Sequence, residues 1–267
     1  MSDDDRFEDH DEPGPTPAKD IDPSALRVAL GRLAGFADNP VLVRQAFHLA
    51  LIDNLLNSLE DAVLRADEDD RAYEQAALLA AMSPMWIYAA YELVRTWRQR
   101  CEEVILLAEN GGLSLRADHL AQELPYRHHD RELRAAQLRT AKEDPQRVEA
   151  MRQDLRRTEM AFKVLEFVRV ALAKHEVSAA GKKRQPIALA PDLALIDRET
   201  GSMKYEMSNG GAIIDFVTRR NLADSLRALP DLEIPSDEDL DGFRQWISPP
   251  DVTGVGPFET AGRGAQP

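Results

Sequence analysis

Residues 38–65 read DNPVLVRQAFHLALIDNLLNSLEDAVLR, a start signal followed by a long apolar-rich run. Asn39 carries a side-chain oxygen suited to capping a helix, and Pro40 has the fixed φ that fits a first helical residue. Beyond them Val43, Phe47, Ala50, Leu51, Asn54, Leu55, Ser58 and Leu59 recur at spacings of three and four. This period predicts one helix from Pro40 to about Arg65 with that row turned to the core.

Working outward, a short helix is expected near Pro23 to Phe36. On the other side, a polar break at Asp67 to Asp70 leads to a second helical segment. Pro84 there reads as a new start or a kink before a helix that stops at Gly111-Gly112. Its buried row is Trp86, Ala90, Leu93, Trp97, Cys101, Val104 and Ala108. Tyr88, Glu92, Arg95 and Gln99 share the other side and read as a solvated face of local ion pairs. A short helix around His119 follows, and Pro125 precedes a charged helix ending near Lys142. Asp144-Pro145 then starts a helix that includes EFVRVALAKHEV, residues 166–177.

Past Val177 the pattern changes. Gly181 to Pro186 is a basic linker, and LALID, SMKYEM and AIIDFV, separated by RETG and SNGG, read as short strands. Thr218 caps a last helix, RRNLADSLRAL, whose Leu222, Leu226 and Leu229 would dock on the rest. The expected fold is all-α: a bundle of long antiparallel helices over residues 23–229, with a small antiparallel β-hairpin or meander near 187–217 before the last helix.

Composition sets the frame. A chain of 267 residues, 43% of them hydrophobic, can bury one sizeable core but not two large ones. The single cysteine, Cys101, lies on an apolar row and reads as a small buried hydrophobe, which suits a reducing, cytoplasmic setting. The N-terminal MSDDDRFEDHDEPGPTPAK has neither the basic nor the apolar region of a signal peptide. The run AALLAAMSPMWIYAAY, residues 76–91, falls short of the ~18–20 residues of a membrane span, so no membrane helix is expected.

The net charge of −14 is concentrated at the ends. Residues 1–22 hold nine acids against Arg6 and Lys19, and residues 230–267 hold eight against Arg244 and Arg263, which leaves the body close to neutral. Both ends are rich in proline, glycine and acids, the composition of disordered tails that confer solubility, shield a basic surface or recruit a protein partner. Between Tyr126 and Lys174, by contrast, twelve basic residues face eight acidic ones. His128 and His129 lie in that region, but helical neighbours point ~100° apart and cannot share an ion, so neither a metal nor a cofactor is expected.

From Met160 to Ala173 the chain is apolar nearly all round, with Glu159, Lys163, Glu166 and Arg169 on one narrow line. A half-buried Arg169 needs an acceptor, and Glu166 one turn earlier is within reach as a structural ion pair.

Arg169 to His175, R-V-A-L-A-K-H, also resembles the R-x(4 to 6)-H motif of the HEPN superfamily of helical proteins. Many members of that superfamily are dimeric ribonucleases of toxin, antiphage and RNA-processing systems, and others are binding modules. The resemblance spans residues 40–229 in architecture and seven residues in motif. The chain departs from the pattern in carrying Val170 where a polar residue, commonly asparagine, follows the arginine. The resemblance implies a homodimer that cleaves RNA without a metal. His175 would move the proton, Arg169 would stabilise charge on the phosphate and Glu166 would orient Arg169. Arg127, Arg131, Arg134, Lys182, Lys183 and Arg184 would touch the RNA backbone. In an ideal helix Arg169 and His175 stand ~120° apart, so they converge only across a twofold axis or where the helix unwinds.

The competing expectation is a non-catalytic helical dimer or scaffold whose Arg169 is structural. The first reading requires Arg169 in an open cleft, and the second requires it satisfied inside the fold. A third, a small-molecule enzyme built on the Tyr88, Glu92 and Arg95 row, lacks any glycine-rich phosphate loop or nucleophile motif.

Overall fold

The cap signals act as their chemistry demands. Asn39 Oδ1 accepts the Val41 N–H at 3.0 Å, and Asp144 Oδ1 accepts the Gln146 N–H at 3.0 Å, each ahead of a proline at the first helical position. A computed structural model describes residues 16–66, 70–122, 128–173, 195–209 and 212–248. The helices are α1 (Ala25–Arg32), α2 (Pro40–Arg65), α3 (Asp70–Glu109), α4 (Leu113–Ala121), α5 (His129–Glu143), α6 (Pro145–Arg157) and α7 (Glu159–Ala173). They are followed by β1 (Leu195–Ile196), β2 (Met203–Asn209), β3 (Ala212–Thr218), α8 (Arg219–Ala228) and α9 (Asp237–Ile247). The strands form an antiparallel meander in the order β1-β2-β3, with an irregular register at Met207/Ser208. The fold is a helical bundle with a small sheet inserted late, as the periodicity predicts.

α3 is the central element, 40 residues and therefore ~60 Å long. It runs through Pro84 as one helix, so of the two readings there, a new start or a kink, the new start does not occur. Its expected inner row is buried from Trp86 to Val104. The Trp97 indole N–H donates to the Ala34 carbonyl at 3.0 Å, and Cys101 packs beside the same carbonyl. Burial pushes the Cys101 thiol up to about 12, so it stays protonated as an inert core group.

Three further expectations need correction. The helix begun at Pro145 breaks at Thr158, which is fully buried. Arg98 from α3 donates to the Leu155 carbonyl at 2.8 Å and to Thr158 Oγ1 at 2.7 Å, and pairs with Glu159, so the break is held from outside.

The row expected to line the core on α2 is displaced around the helix. Leu42, Ala46, Leu49, Ala50, Asp53, Leu56, Asn57 and Glu60 are buried. Val43, Phe47, Leu51 and Leu55 remain 38%, 48%, 50% and 45% exposed. Both sides of α2 are apolar, so period alone cannot choose between them. The choice is made by arginines of α8, whose charge requires Asp53 and Glu60 inside.

The third correction concerns the acidic C-terminal stretch. Residues 237–247, expected in a tail, form α9. Ser236 Oγ accepts the Asp239 N–H at 3.1 Å while Asp239 accepts the Ser236 N–H at 2.7 Å, and the acids of the first turn complement the helix dipole. Leu240 is buried, and Arg156 holds the Pro235 carbonyl and Asp237. Residues 1–15 and 249–267 of the expected tails lie outside the described residues.

Candidate functional site

α7 buries Phe162, Leu165, Val168 and Leu172 at helical spacing, which brings its Lys163, Glu166 and Arg169 to the flank of α3. Phe162 stacks on Tyr91 with ring centroids 5.5 Å apart. The Tyr91 hydroxyl donates to Glu166 Oε1 at 3.2 Å, and Lys163 Nζ donates to Glu166 Oε2 at 2.9 Å. Burial, with Glu166 adding to it, raises the Tyr91 phenol and keeps it protonated. Arg169 lies 5.1 Å over the Tyr91 ring and 3.8 Å from Glu92 Oε1. Glu92 is itself held by Arg95 through Nε at 3.0 Å and Nη2 at 2.6 Å.

The Glu92–Arg95 row and the Glu166–Arg169 line, read separately in the sequence, thus form one cluster. The partner assignments differ from those expected. Glu166 is taken by Tyr91 and Lys163 rather than orienting Arg169, because the Tyr91 hydroxyl on the neighbouring helix reaches it first. Arg169 turns to Glu92, with its Nε left without an acceptor. Among the described residues the cluster contains no imidazole or thiol. It braces α7 to α3 through charge and stacking.

Of the expected RNA contacts, Arg134 is buried and donates to Glu103 at 2.6 Å and to the Arg100 carbonyl at 3.1 Å. Arg131 donates to the His119 carbonyl at 2.9 Å. Both tie α5 to its neighbours instead of lining an open basic face. His175, Arg127, Lys182, Lys183 and Arg184 lie outside the described residues.

The largest polar construction was not anticipated. Thr218 and Asn221 form a reciprocal cap at the start of α8, each accepting the other's backbone N–H at 2.9 Å, and this places Arg219 and Arg220 against α2. Arg219 reaches Glu60 at 2.8 Å through Nε, Asn57 at 2.7 Å and Asp53, while its guanidinium sits 5.4 Å from the Trp86 ring. Arg220 grips the other oxygen of Glu60 through Nε at 3.0 Å and Nη2 at 2.7 Å. Arg227 bridges Asp53 and Asp224. The side chains of Asp53, Glu60, Arg219 and Arg220 are no more than 2% exposed. Burial raises the Asp224 carboxyl although Arg227 opposes it. Asp53, Asn57 and Glu60 at spacings of four and three inside an apolar helix were the one available sign of this lattice.

On the outer side of the same helix lies a groove of about 580 Å³ between α2 and α3. Leu49, Met82, Trp86 and Leu93 line its depth, Ile52 and Met85 are more exposed, and Glu92 and Thr96 contribute at a polar part of the wall. A separate exposed apolar row, Phe47, Leu51 and Leu55, runs along α2 on the side turned away from its buried residues. Compared with protein-family models, with curated proteins and with solved structures, the chain matches none.

Proposed function

We propose that this protein is a non-catalytic helical scaffold that acts through protein–protein contact at the exposed face of α2. The observation that carries this reading is the exposed ridge Val43, Phe47, Leu51 and Leu55 on a helix whose opposite side is already buried. A row of large apolar side chains left in water on a helix that already buries its other side marks a contact surface.

The alternative is metal-independent RNA cleavage of the HEPN kind. It draws support from one feature, the Nε of Arg169 that lacks an acceptor. Against it, the described cations of the expected site are engaged with carboxylates or backbone carbonyls, an arrangement that braces helices and forms no open basic cleft among the described residues.

Incubating the purified protein with structured and single-stranded RNA in chelator, beside Arg169→Ala, separates the two. The scaffold reading expects no cleavage by either protein. It also expects a loss of about 1 kcal/mol in the folding stability of the variant, from the cation–π contact and the partly screened pair with Glu92. RNA cleavage by wild type that disappears in a folded Arg169→Ala protein would overturn it in favour of the nuclease.

A further inference from the structure

We infer that a small cavity bounded by α3, α5, α6 and the α1–α2 connection binds one halide ion, chloride, at the guanidiniums of Arg100 and Arg134. No residue of this site belongs to α2, so the inference stands apart from the contact face proposed above.

Charge points to an anion. Four guanidiniums, those of Arg100, Arg116, Arg134 and Arg147, gather on or behind the cavity walls against the carboxylates of Glu103 and Asp38. Arg134 takes Glu103 at 2.6 Å, Arg116 shares the same carboxylate at 3.6 Å, and Arg147 takes Asp38. Arg100 is left over. Among the described residues no carboxylate pairs with it, and its Nε is buried without an acceptor. Burial pushes the Arg100 guanidinium below its ordinary range, and Arg134 adds to the shift while Glu103 and Asp130 oppose it. A cation so placed lacks counter-charge and keeps a charge-assisted hydrogen bond to offer.

The second guanidinium is already fixed. Arg134 is buried, with Nη2 held by Glu103 and by the Arg100 carbonyl at 3.1 Å and Nη1 held by Gln137 Oε1 at 3.2 Å. Gln137 in turn donates to the Asp38 carbonyl at 2.7 Å. Its positive potential is therefore in place before an ion arrives, and little ordering is needed on binding.

Size selects the ion. The cavity, about 10 Å³, admits one water-sized guest and has no room for phosphate, sulfate or a carboxylate. Its other walls include Trp97, Cys101, Val104 and Met151. The Trp97 indole N–H is already spent on the Ala34 carbonyl, and the Cys101 thiol, pushed up to about 12, stays neutral. Gly35, at φ +74°, closes one side so tightly that a Cβ there would lie 2.6 Å from Met151 Cε. A metal cation is repelled by the arginines, and a water satisfies the Nε–H but not the charge. Bound chloride ties α5 and α6 to α3 and to the connection that leads into α2, and it stabilises the folded chain by mass action.

Line broadening of the chlorine-35 resonance by the full chain, reversed with bromide, measures binding directly. Thermal melts at fixed ionic strength, with methanesulfonate replacing chloride, measure its linkage to folding. Arg100→Met and Arg100→Gln both remove the charge, and Arg139→Met, at an exposed arginine of α5 paired with Asp118, is the control. Circular dichroism checks that each variant folds. The expected result is broadening by wild type and Arg139→Met that falls about tenfold or more in both Arg100 variants. At a chloride concentration about five times Kd, Tm should rise by ~2–4 °C in the first two proteins and stay constant in the Arg100 variants. A wild type that leaves the line sharp, or broadening that survives in folded Arg100 variants, overturns the inference. So does an equal rise of Tm in methanesulfonate, which makes the effect ionic screening, or a Tm independent of chloride in every protein, which leaves the cavity to water.

Discussion

Glu60 holds two guanidiniums with one carboxylate in a site closed to water, and its removal leaves Arg220 with no carboxylate and Arg219 with only Asp53. Glu60→Gln keeps the volume but withdraws the charge and one acceptor oxygen. The expected cost is about 3–5 kcal/mol of folding stability, read by urea denaturation at neutral pH. Neutralising the exposed pair Arg244–Asp241 with Asp241→Asn should change stability by less than about 0.5 kcal/mol, which makes it the control. At this scale the sequence shows need without identity. It shows that Arg169 requires an acceptor but not that Glu92, from another helix, supplies it. It shows polar residues at 53, 57 and 60, while their counter-charges lie about 160 positions away, at the start of a helix that was expected to dock through its leucines.

Helix boundaries were legible wherever a cap and a proline coincide, as at Asn39-Pro40 and Asp144-Pro145, and the meander was legible from its turn residues. The break at Thr158 was not, because Arg98 imposes it from α3. α9 was missed because an acidic run reads as disorder until Ser236 and Asp239 are seen to cap one another. Hydrogen bonds from Ser236 hold the Asp239 carboxyl below its ordinary range, and Arg32 does the same for Asp231 just before the helix. A carboxylate whose folded-state pKa is depressed contributes stability that is present above its unfolded value near ~3.9 and lost as pH falls through the folded one. α9 should therefore loosen below about pH 4 while α3 stays intact, a change visible in the indole proton resonance of Trp246. Ser236→Ala should loosen α9 at neutral pH and flatten that acid transition.

Across the whole molecule, the late meander and α8 complete the core of the early helices. Gly201 shows how closely they meet: it sits at φ +69°, and a Cβ there would lie 2.3 Å from the Glu60 carbonyl oxygen. A chain ending at residue 194 would keep Asp53 and Glu60 facing inward without Arg219, Arg220 and Arg227. It should retain helical circular dichroism but lose a cooperative melt, whereas a chain ending at residue 232 should melt cooperatively. Fold class was readable because helical period and caps are local. Which side of α2 faces the core was not, because residues at the opposite end of the chain decide it.

Asp53 and Arg219 are separated by 166 positions. At a synthesis rate of ~5–20 residues per second, roughly 10–30 s pass between the making of α2 and of the arginines that neutralise it. Through that interval the guanidiniums that neutralise Asp53 and Glu60 do not yet exist, so the inner side of α2 carries unpaired carboxylates that hold water and cannot close into a core until the last helices are made.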